Sequence, residues 1–484
     1  MISGFNLFRD IAASAGRTVP HANRPIVCVQ GLGFVGAAMA VALANARDAR
    51  GEPYFDVIGV DLPTPEGLAK IAAINSGTLP IKAADPKFSS ALDQAHALGN
   101  LIATADPAAY ALAETIVIDV HLDVTYREGE PVLKLDNFRS AIKSVGGYMR
   151  RGCLVMVETT VPPGTCEKII APQLAEALRE RGLPENAFLL AHSYERIMPG
   201  SDYLDSIVNF WRVYAGYTPE AADACEKFLS KLINTRDYKL TRLSPITSSE
   251  VGKVLENSYR AATIAFMDEW SRFAESIGID LFEVISAIRK RPTHSNMRQP
   301  GFGVGGYCLT KDPLLAPLAA RHLFDMPNLT FPFCELAVTV NRTMPLASLN
   351  KVQQILGGRL SGKSILLLGV SYRQEVGDTR YSPSQIFVEH ARARGAKVMC
   401  HDPYVDYWPE LREQLPSEIP TPEHIDAVVF AVPHRDYRTL DVKTWLNGSQ
   451  PVILDANDVL NNDQRASALA AGCTLVSTGR GRTL

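Results

Sequence analysis

Apolar positions along this chain change period several times, and each change marks an element. In RPIVCVQGLGFVG (24–36) a short β-rich apolar run stops at a glycine turn. The alanine-rich AAMAVALANA that follows reads as a helix, and FDVIGVDLP as a second apolar strand. Strand, turn, helix, strand is the opening βαβ of a doubly wound sheet. Further apolar runs at TIVIDV (115–120), CLVMVET (153–159) and FLLAHS (188–193) extend it. From 218 to about 290 the period becomes helical, most clearly in SSEVGKVLENSYRAATIAFMDEWSRFAESIG. Thr247 with Glu250 three residues on has the capping-box pattern, and Gly278 is a stop signal. A helix of ~30 residues is ~45 Å long, a spine between domains or a dimer interface rather than part of one small core. Strand patterns return at KSILLLGVSY (363–372), KVMCHDP, DAVVFAVP and PVILDAN, with a helical FVEHARARGA after the first.

The expected architecture is therefore α/β: two Rossmann-like, doubly wound parallel-sheet domains joined by a central all-helical domain. The segments are an extension at 1–23, a first sheet domain at 24–217, the helical domain at 218–346 and a second sheet domain at 347–484. A chain of 484 residues is long enough to need several cores. Lysine and arginine total 49 against 52 acids, so no chain-wide field recruits nucleic acid or an anionic membrane. Any anionic ligand must be held locally. Eight single cysteines, with no CxxC pair and no Cys/His cluster at zinc spacing, imply a reducing compartment, the cytoplasm, and no metal. No apolar stretch approaches the ~20 residues of a membrane span.

Gly31, Gly33 and Gly36, with Phe34 and Val35 between them, spell GxGxxG after a strand and before a helix. The first glycine permits the turn, the second the approach of a pyrophosphate, the third close helix–strand packing. Asp61, 25 residues past Gly36, ends the second strand where an acid meets ribose hydroxyls or caps a turn. An acid there would repel a 2′-phosphate and so favours NAD over NADP. The second sheet has only Gly369 in the corresponding turn, so another ligand is expected there. Lys253 and Asn257 share one face of the long helix. They could present two donors to a developing oxyanion, or simply be solvated and packed. Cys308 follows the glycine-rich GFGVGG (301–306), a costly backbone around one thiol.

PGFGVGGYCLTKDP closely resembles the active-site segment of the UDP-glucose/GDP-mannose dehydrogenase family. GLGFVG, ETTVPPGT (158–165), KVLENSYRAATIAF, NRTMP (341–345) and SYRQEVGDTRYSP (371–383) occur in family order. The resemblance implies oxidation of a nucleotide sugar at C6 to the uronate by two hydride transfers to NAD. Cys308 would form a thiohemiacetal and then a thioester. Lys253 and Asn257 would contact the C6 oxygen, Asp312 and Thr160 hold the water, and Glu195 assist hydrolysis. Glu195 and Arg196 sit in HSYERIMPG, where Tyr194 replaces the usual proline and Pro199 the second glutamate common in UDP-glucose oxidisers. The ERxxPG form leans to the UDP-N-acetylhexosamine branch. Arg373, Asp378 and Arg380 match the diphosphate-binding segment, and Gly301, Gly303 and Gly305 would lie along the sugar. VHLD (120–123) stands where relatives have VPTP, which puts His121 beside the cofactor. The resemblance further implies a homodimer, a UDP-sugar as partner and a product for surface polysaccharide. UDP-glucose or GDP-mannose as substrate, a two-electron hydroxyacid-type dehydrogenase and a non-catalytic nucleotide-sugar binder are the alternatives.

Overall fold

The structure, a computed structural model, describes residues 10, 12, 13, 24–80, 85–197, 200 and 202–481. Most of the 1–23 extension and Pro199 lie outside the described residues. The chain forms two compact units, Met1–Leu255 with Leu315–Thr330, and Glu256–Leu314 with Phe331–Leu484.

The first unit is built on β1 (Ile26–Gln30), β2 (Asp56–Val60), β3 (Leu101–Thr104) and β4 (Thr115–Ile118). A hairpin of β5 (Asp123–Arg127) and β6 (Glu130–Lys134) stands apart, and β7 (Cys153–Val157), β8 (Phe188–His192), β9 (Val213–Gly216) and β10 (Thr241–Arg242) complete the sheet. Its order is β10-β9-β8-β7-β4-β1-β2-β3. Every neighbour is parallel except β8 and β9. β2, β4 and β7 are buried throughout, so their continuous apolar runs are those of strands covered by helices on both faces. The chain winds outward from β1 in one direction and from β4 in the other. The crevice beyond their carboxyl ends is the topological switch point where such sheets bind ligands.

The β5–β6 hairpin was not legible as strands, because it alternates exposed polar residues with few apolar ones. Its two-residue turn puts Glu128 and Gly129 at φ 53° and 87°, the geometry that suits a tight hairpin.

The long helix runs Ile246–Ser276, and Gly278 at φ 78° ends it as expected. Its start departs from the capping-box reading. Glu250 does not fold back to Thr247; its carboxylate accepts the N–H groups of Gly164 (2.5 Å) and Cys166 (2.7 Å). Two buried amides of a neighbouring turn outcompete a helix end that can be solvated.

The second unit holds β11 (Ser364–Leu368), β12 (Lys397–His401), the short pair β13 (Tyr407–Trp408) and β14 (Glu413–Gln414), then β15 (Ala427–Phe430), β16 (Val452–Asp455) and β17 (Thr474–Ser477). Its main sheet has the order β12-β11-β15-β16-β17, all parallel. The two sheets share one device. At the end of β2 Asp61 accepts the N–H of Leu32, and at the end of β12 Asp402 accepts those of Val370 and Ser371. In the second sheet the turn is filled: a Cβ on Gly369 would lie 2.5 Å from that of Val432.

Candidate active site

In the first unit Gly31 leaves β1 at φ 93°, and a Cβ there would sit 2.8 Å from the Asp119 carbonyl oxygen. A Cβ on Gly36 would collide with the Gly31 oxygen at 1.8 Å. At Gly33 a Cβ would meet nothing within 4 Å. Gly33 also precedes the helix Phe34–Asn45, whose first turn has no side-chain cap. Two glycines are thus demanded by packing, while the third leaves open space before uncapped N–H groups, a cradle that fits a pyrophosphate. Asp61 lies beside it, held by the N–H groups of Leu32 (2.9 Å) and Leu62 (2.7 Å) and by Lys70 at 3.7 Å. His121 is exposed, 3.7 Å from Asp123.

Beyond β4 and β7 lies a buried group of charges that the sequence reading passed over. Glu158 pairs with Arg212, both almost fully buried. Burial and the nearby Glu158 hold the Asp119 carboxyl well above the usual carboxylate range. Thr160, two residues past Glu158, is half-buried. The turn that follows it is held by Glu250, whose own pKa burial pushes up to about 7 against the pull of its two amide bonds.

Glu195 follows β8. It is buried rather than solvent-facing, and its carboxylate partners Lys253 rather than Arg196. The Lys253 ammonium donates to the Glu195 carbonyl at 2.7 Å and to Oε1 at 3.3 Å, and the Ile197 N–H donates to Oε2. Arg196 instead donates to the Trp211 carbonyl at 2.8 Å and to the Tyr194 hydroxyl at 3.3 Å. His192, buried on β8, has its pKa lowered to about 3 by burial and is neutral.

In the second unit Cys308 is the second residue of the short helix Tyr307–Lys311. Of the eight cysteines, all free, it is the exposed one; Cys334 is half-buried and six are buried. Burial pushes the thiols of Cys153, Cys225 and Cys400 up to about 12. The structure gives the glycines a packing reason besides the expected place along a sugar. A Cβ on Gly305 would strike the Tyr381 carbonyl at 2.5 Å and Tyr372 Cβ at 2.6 Å. One on Gly306, at φ 75°, would touch the Tyr372 ring at 3.0 Å. Gly301 lies against Asn457 and Gly303 against Pro383 in the same way. The loop is glycine-rich because it presses on its own second sheet domain. Phe302, in that core, and Asn341 anchor it: Asn341 donates to the Val304 carbonyl (2.6 Å) and accepts its N–H (2.8 Å).

Four residues past Cys308, buried Asp312 accepts from Lys311 (2.7 Å) and from Asn257 Nδ2 (2.7 Å). Lysine 253 and Asn257 are one turn apart on the same helix, yet each has its own acidic partner in its own unit. Arg380 forms two bonds to Asp378, at 2.8 and 2.5 Å, and lies 4.6 Å from the Tyr307 ring centroid. Burial lowers the Arg260 pKa, and the facing Arg298 and Arg373 add to it, while Cys308 and Glu256 act the other way. None of Arg260, Arg298 and Arg373 forms an ion pair among the described residues. Guanidinium groups that act on one another near a thiol and have no carboxylate partner are available to an anion, and the sequence had offered only Arg373 of the three. Among the described residues no group of acids, histidines and cysteines could hold a metal ion, and no helix is long and apolar enough to cross a membrane.

The chain matches the UDP-glucose/GDP-mannose dehydrogenase family domain by domain: its NAD binding domain over residues 26–233, its central domain over 247–343 and its UDP binding domain over 366–462. UDP-N-acetyl-D-mannosamine dehydrogenase of Pyrococcus horikoshii is 30% identical over 439 residues, 90% of this chain and 96% of the relative. NDP-N-acetyl-D-galactosaminuronic acid dehydrogenase of Ralstonia solanacearum is 28% identical, covering 86% of this chain and 92% of the relative. Among solved structures, UDP-D-ManNAc dehydrogenase of Pyrococcus horikoshii superposes with a TM-score of 0.78 at 27% identity, over 94% of this chain and 99% of that one.

Proposed function

The chain belongs to the UDP-glucose/GDP-mannose dehydrogenase family and is an NAD-dependent nucleotide-sugar dehydrogenase; from that premise we propose that it oxidises the C6 alcohol of a UDP-N-acetylhexosamine to the uronate. NAD, when bound, accepts a hydride at each of the two oxidations. Gly31, Gly33, Phe34, Val35 and Gly36 cradle its pyrophosphate, and Asp61 takes the ribose.

The protein's part in the chemistry is divided among few groups. The Cys308 thiolate adds to the C6 aldehyde, forming a C–S bond and a thiohemiacetal, whose oxidation leaves a thioester. Water then breaks the C–S bond, giving carboxylate and regenerating the thiol. Lys253 and Asn257 stabilise the charge developing on the C6 oxygen. Asp312 and Thr160 hold the water, and Glu195 takes its proton. Arg373 and Arg380 receive the diphosphate, joined by Arg260 and Arg298. Residues 24–217, 218–346 and 347–484 divide the work as NAD, dimerisation and UDP-sugar segments. The product uronate serves surface polysaccharide synthesis in the cytoplasm.

The observation that carries this reading is the thiol itself. Cys308 is exposed at the start of a short helix that follows a clamped loop, near arginines without carboxylate partners and four residues before buried Asp312. The N-acetylhexosamine choice is supported by the substrates named for the relatives above. Incubating the protein and NAD with UDP-ManNAc, UDP-GalNAc, UDP-GlcNAc, UDP-glucose and GDP-mannose tests it; oxidation of UDP-glucose in preference to all three N-acetyl sugars would overturn the substrate assignment.

We also propose a homodimer through the long helix. Val251, Leu255, Tyr259, Phe266, Trp270, Phe273 and Ile277 are exposed at spacings of three, four and seven, one apolar stripe that a second copy would cover.

A further inference from the structure

Tyr194 stands where the family resemblance leads one to expect proline, and its surroundings give the change a purpose. The side chain is buried, 4% exposed. It lies along the long helix at Gly252, where a Cβ would already be 3.4 Å from the tyrosine hydroxyl and 3.5 Å from the ring. Its ring centroid is 5.6 Å from the Lys253 ammonium and 5.3 Å from the Arg196 guanidinium carbon. The hydroxyl accepts a hydrogen bond from Arg196. Arg196 is fixed in turn at the Trp211 carbonyl and faces the Phe210 ring at 6.0 Å. All these residues belong to the first unit.

A negative ring face attracts cations, and more strongly where water is excluded. Two cations brought near each other would repel; one aromatic ring within range of both offsets that cost. The Lys253 side chain is then confined by the Glu195 carbonyl, the Glu195 carboxylate and the Tyr194 ring. Confinement matters because a lysine stem otherwise samples many rotamers. Proline offers no such face.

We propose that Tyr194 is a positioning residue for the oxidation: its ring couples Arg196 to Lys253 and fixes where Lys253 presents its ammonium. This inference rests on Lys253 acting at the C6 oxygen. Among the described residues the titratable groups around that ammonium include Glu195, Arg196, Tyr194 itself and the neutral His192, with Glu158, Asp119 and Arg212 acting on Glu195 or His192 from behind.

The test uses the full chain in Tyr194→Leu and Tyr194→Phe variants, each also combined with Lys253→Ala. Steady-state kinetics and the pH dependence of Lys253 amine labelling, read by mass spectrometry, are measured for each. Tyr194→Leu is expected to lower kcat about 10-fold while both KM values stay within about 3-fold, a split that marks loss of a contact made in the transition state. Lys253 labelling should begin at lower pH, because the charged form has lost a partner. Tyr194→Phe should restore kcat to within about 3-fold, and neither change should alter activity further once Lys253 is alanine. If Leu depresses the melting temperature, Tyr194→Met replaces it in the same comparison. A Leu variant with wild-type kcat and labelling, beside an impaired Lys253→Ala, overturns the role of Tyr194 alone. A Phe variant as poor as Leu overturns the role of the ring. Wild-type turnover by Lys253→Ala overturns the lysine's role and this inference with it.

Discussion

Asn257 Nδ2 donates a 2.7 Å hydrogen bond to Asp312 Oδ2, so a helix residue and the residue four places past the cysteine form one unit. Lys311 occupies the other carboxylate oxygen. Removing the carboxylate takes an ion-pair partner from a largely buried lysine, so some loss of stability is expected alongside the kinetic effect. If Asp312 holds the hydrolytic water, Asp312→Ala should still complete both oxidations once and then stall. The expected outcome is a burst of NADH, a steady rate reduced about 100-fold, and an acyl adduct on Cys308 detectable as added mass. A steady rate near wild type would remove Asp312 from hydrolysis.

Glu250 carries a pH prediction. Burial raises its pKa in the folded protein from the ordinary glutamate range to about 7. A raised carboxyl pKa means that the folded state favours the protonated form. The contribution to stability is therefore full below about 4.5 and lost as pH rises through about 7. Over that window the loss is about 3 kcal/mol by linkage. Melting temperatures of wild type and Glu250→Gln should differ most in favour of wild type at low pH, and the gap should close or reverse toward pH 8. A gap that widens with pH would contradict the burial argument.

Arg373 belongs to a group of guanidinium ions without carboxylate partners, so its deletion should be felt by an anion. For Arg373→Ala the KM of the nucleotide sugar should rise about 10- to 100-fold, in line with the loss of a charge-assisted contact. The KM of NAD should stay within about 2-fold. Equal effects on both would place the arginine away from the diphosphate.

Trp270 lies mid-stripe on the long helix, in edge contact with Phe266 and Phe273. Trp270→Glu puts a charge into the proposed interface. Sedimentation at micromolar concentration should show a dimer for wild type and a monomer for the variant. A wild-type monomer would remove the helix from any self-association.

The glycine turn, the parallel strands and the cysteine loop were legible because their physics is local. A φ of 93° at Gly31 needs glycine whatever surrounds it, and buried strands betray themselves by unbroken apolar runs. What could not be read was pairing at a distance. Glu250 looked like a cap because its partner amides, Gly164 and Cys166, lie more than eighty residues away. The glycines of 301–306 looked like room for a ligand because the tyrosines that crowd them come 66 or more residues later. Arg260 lies within KVLENSYRAATIAF, where Lys253 and Asn257 drew the reading, and Arg298 lies in none of the quoted segments; their lack of carboxylate partners in space is what marks both. The β5–β6 hairpin escaped because its alternation is mostly polar.

The most direct measurement is the number of NADH molecules formed per UDP-N-acetylhexosamine consumed, by wild type and by Cys308→Ala. Two per sugar from wild type, with uronate as product and no uronate from the variant, is the predicted result. One NADH per sugar, or uronate formed by Cys308→Ala at the wild-type rate, would contradict a thioester route through this cysteine.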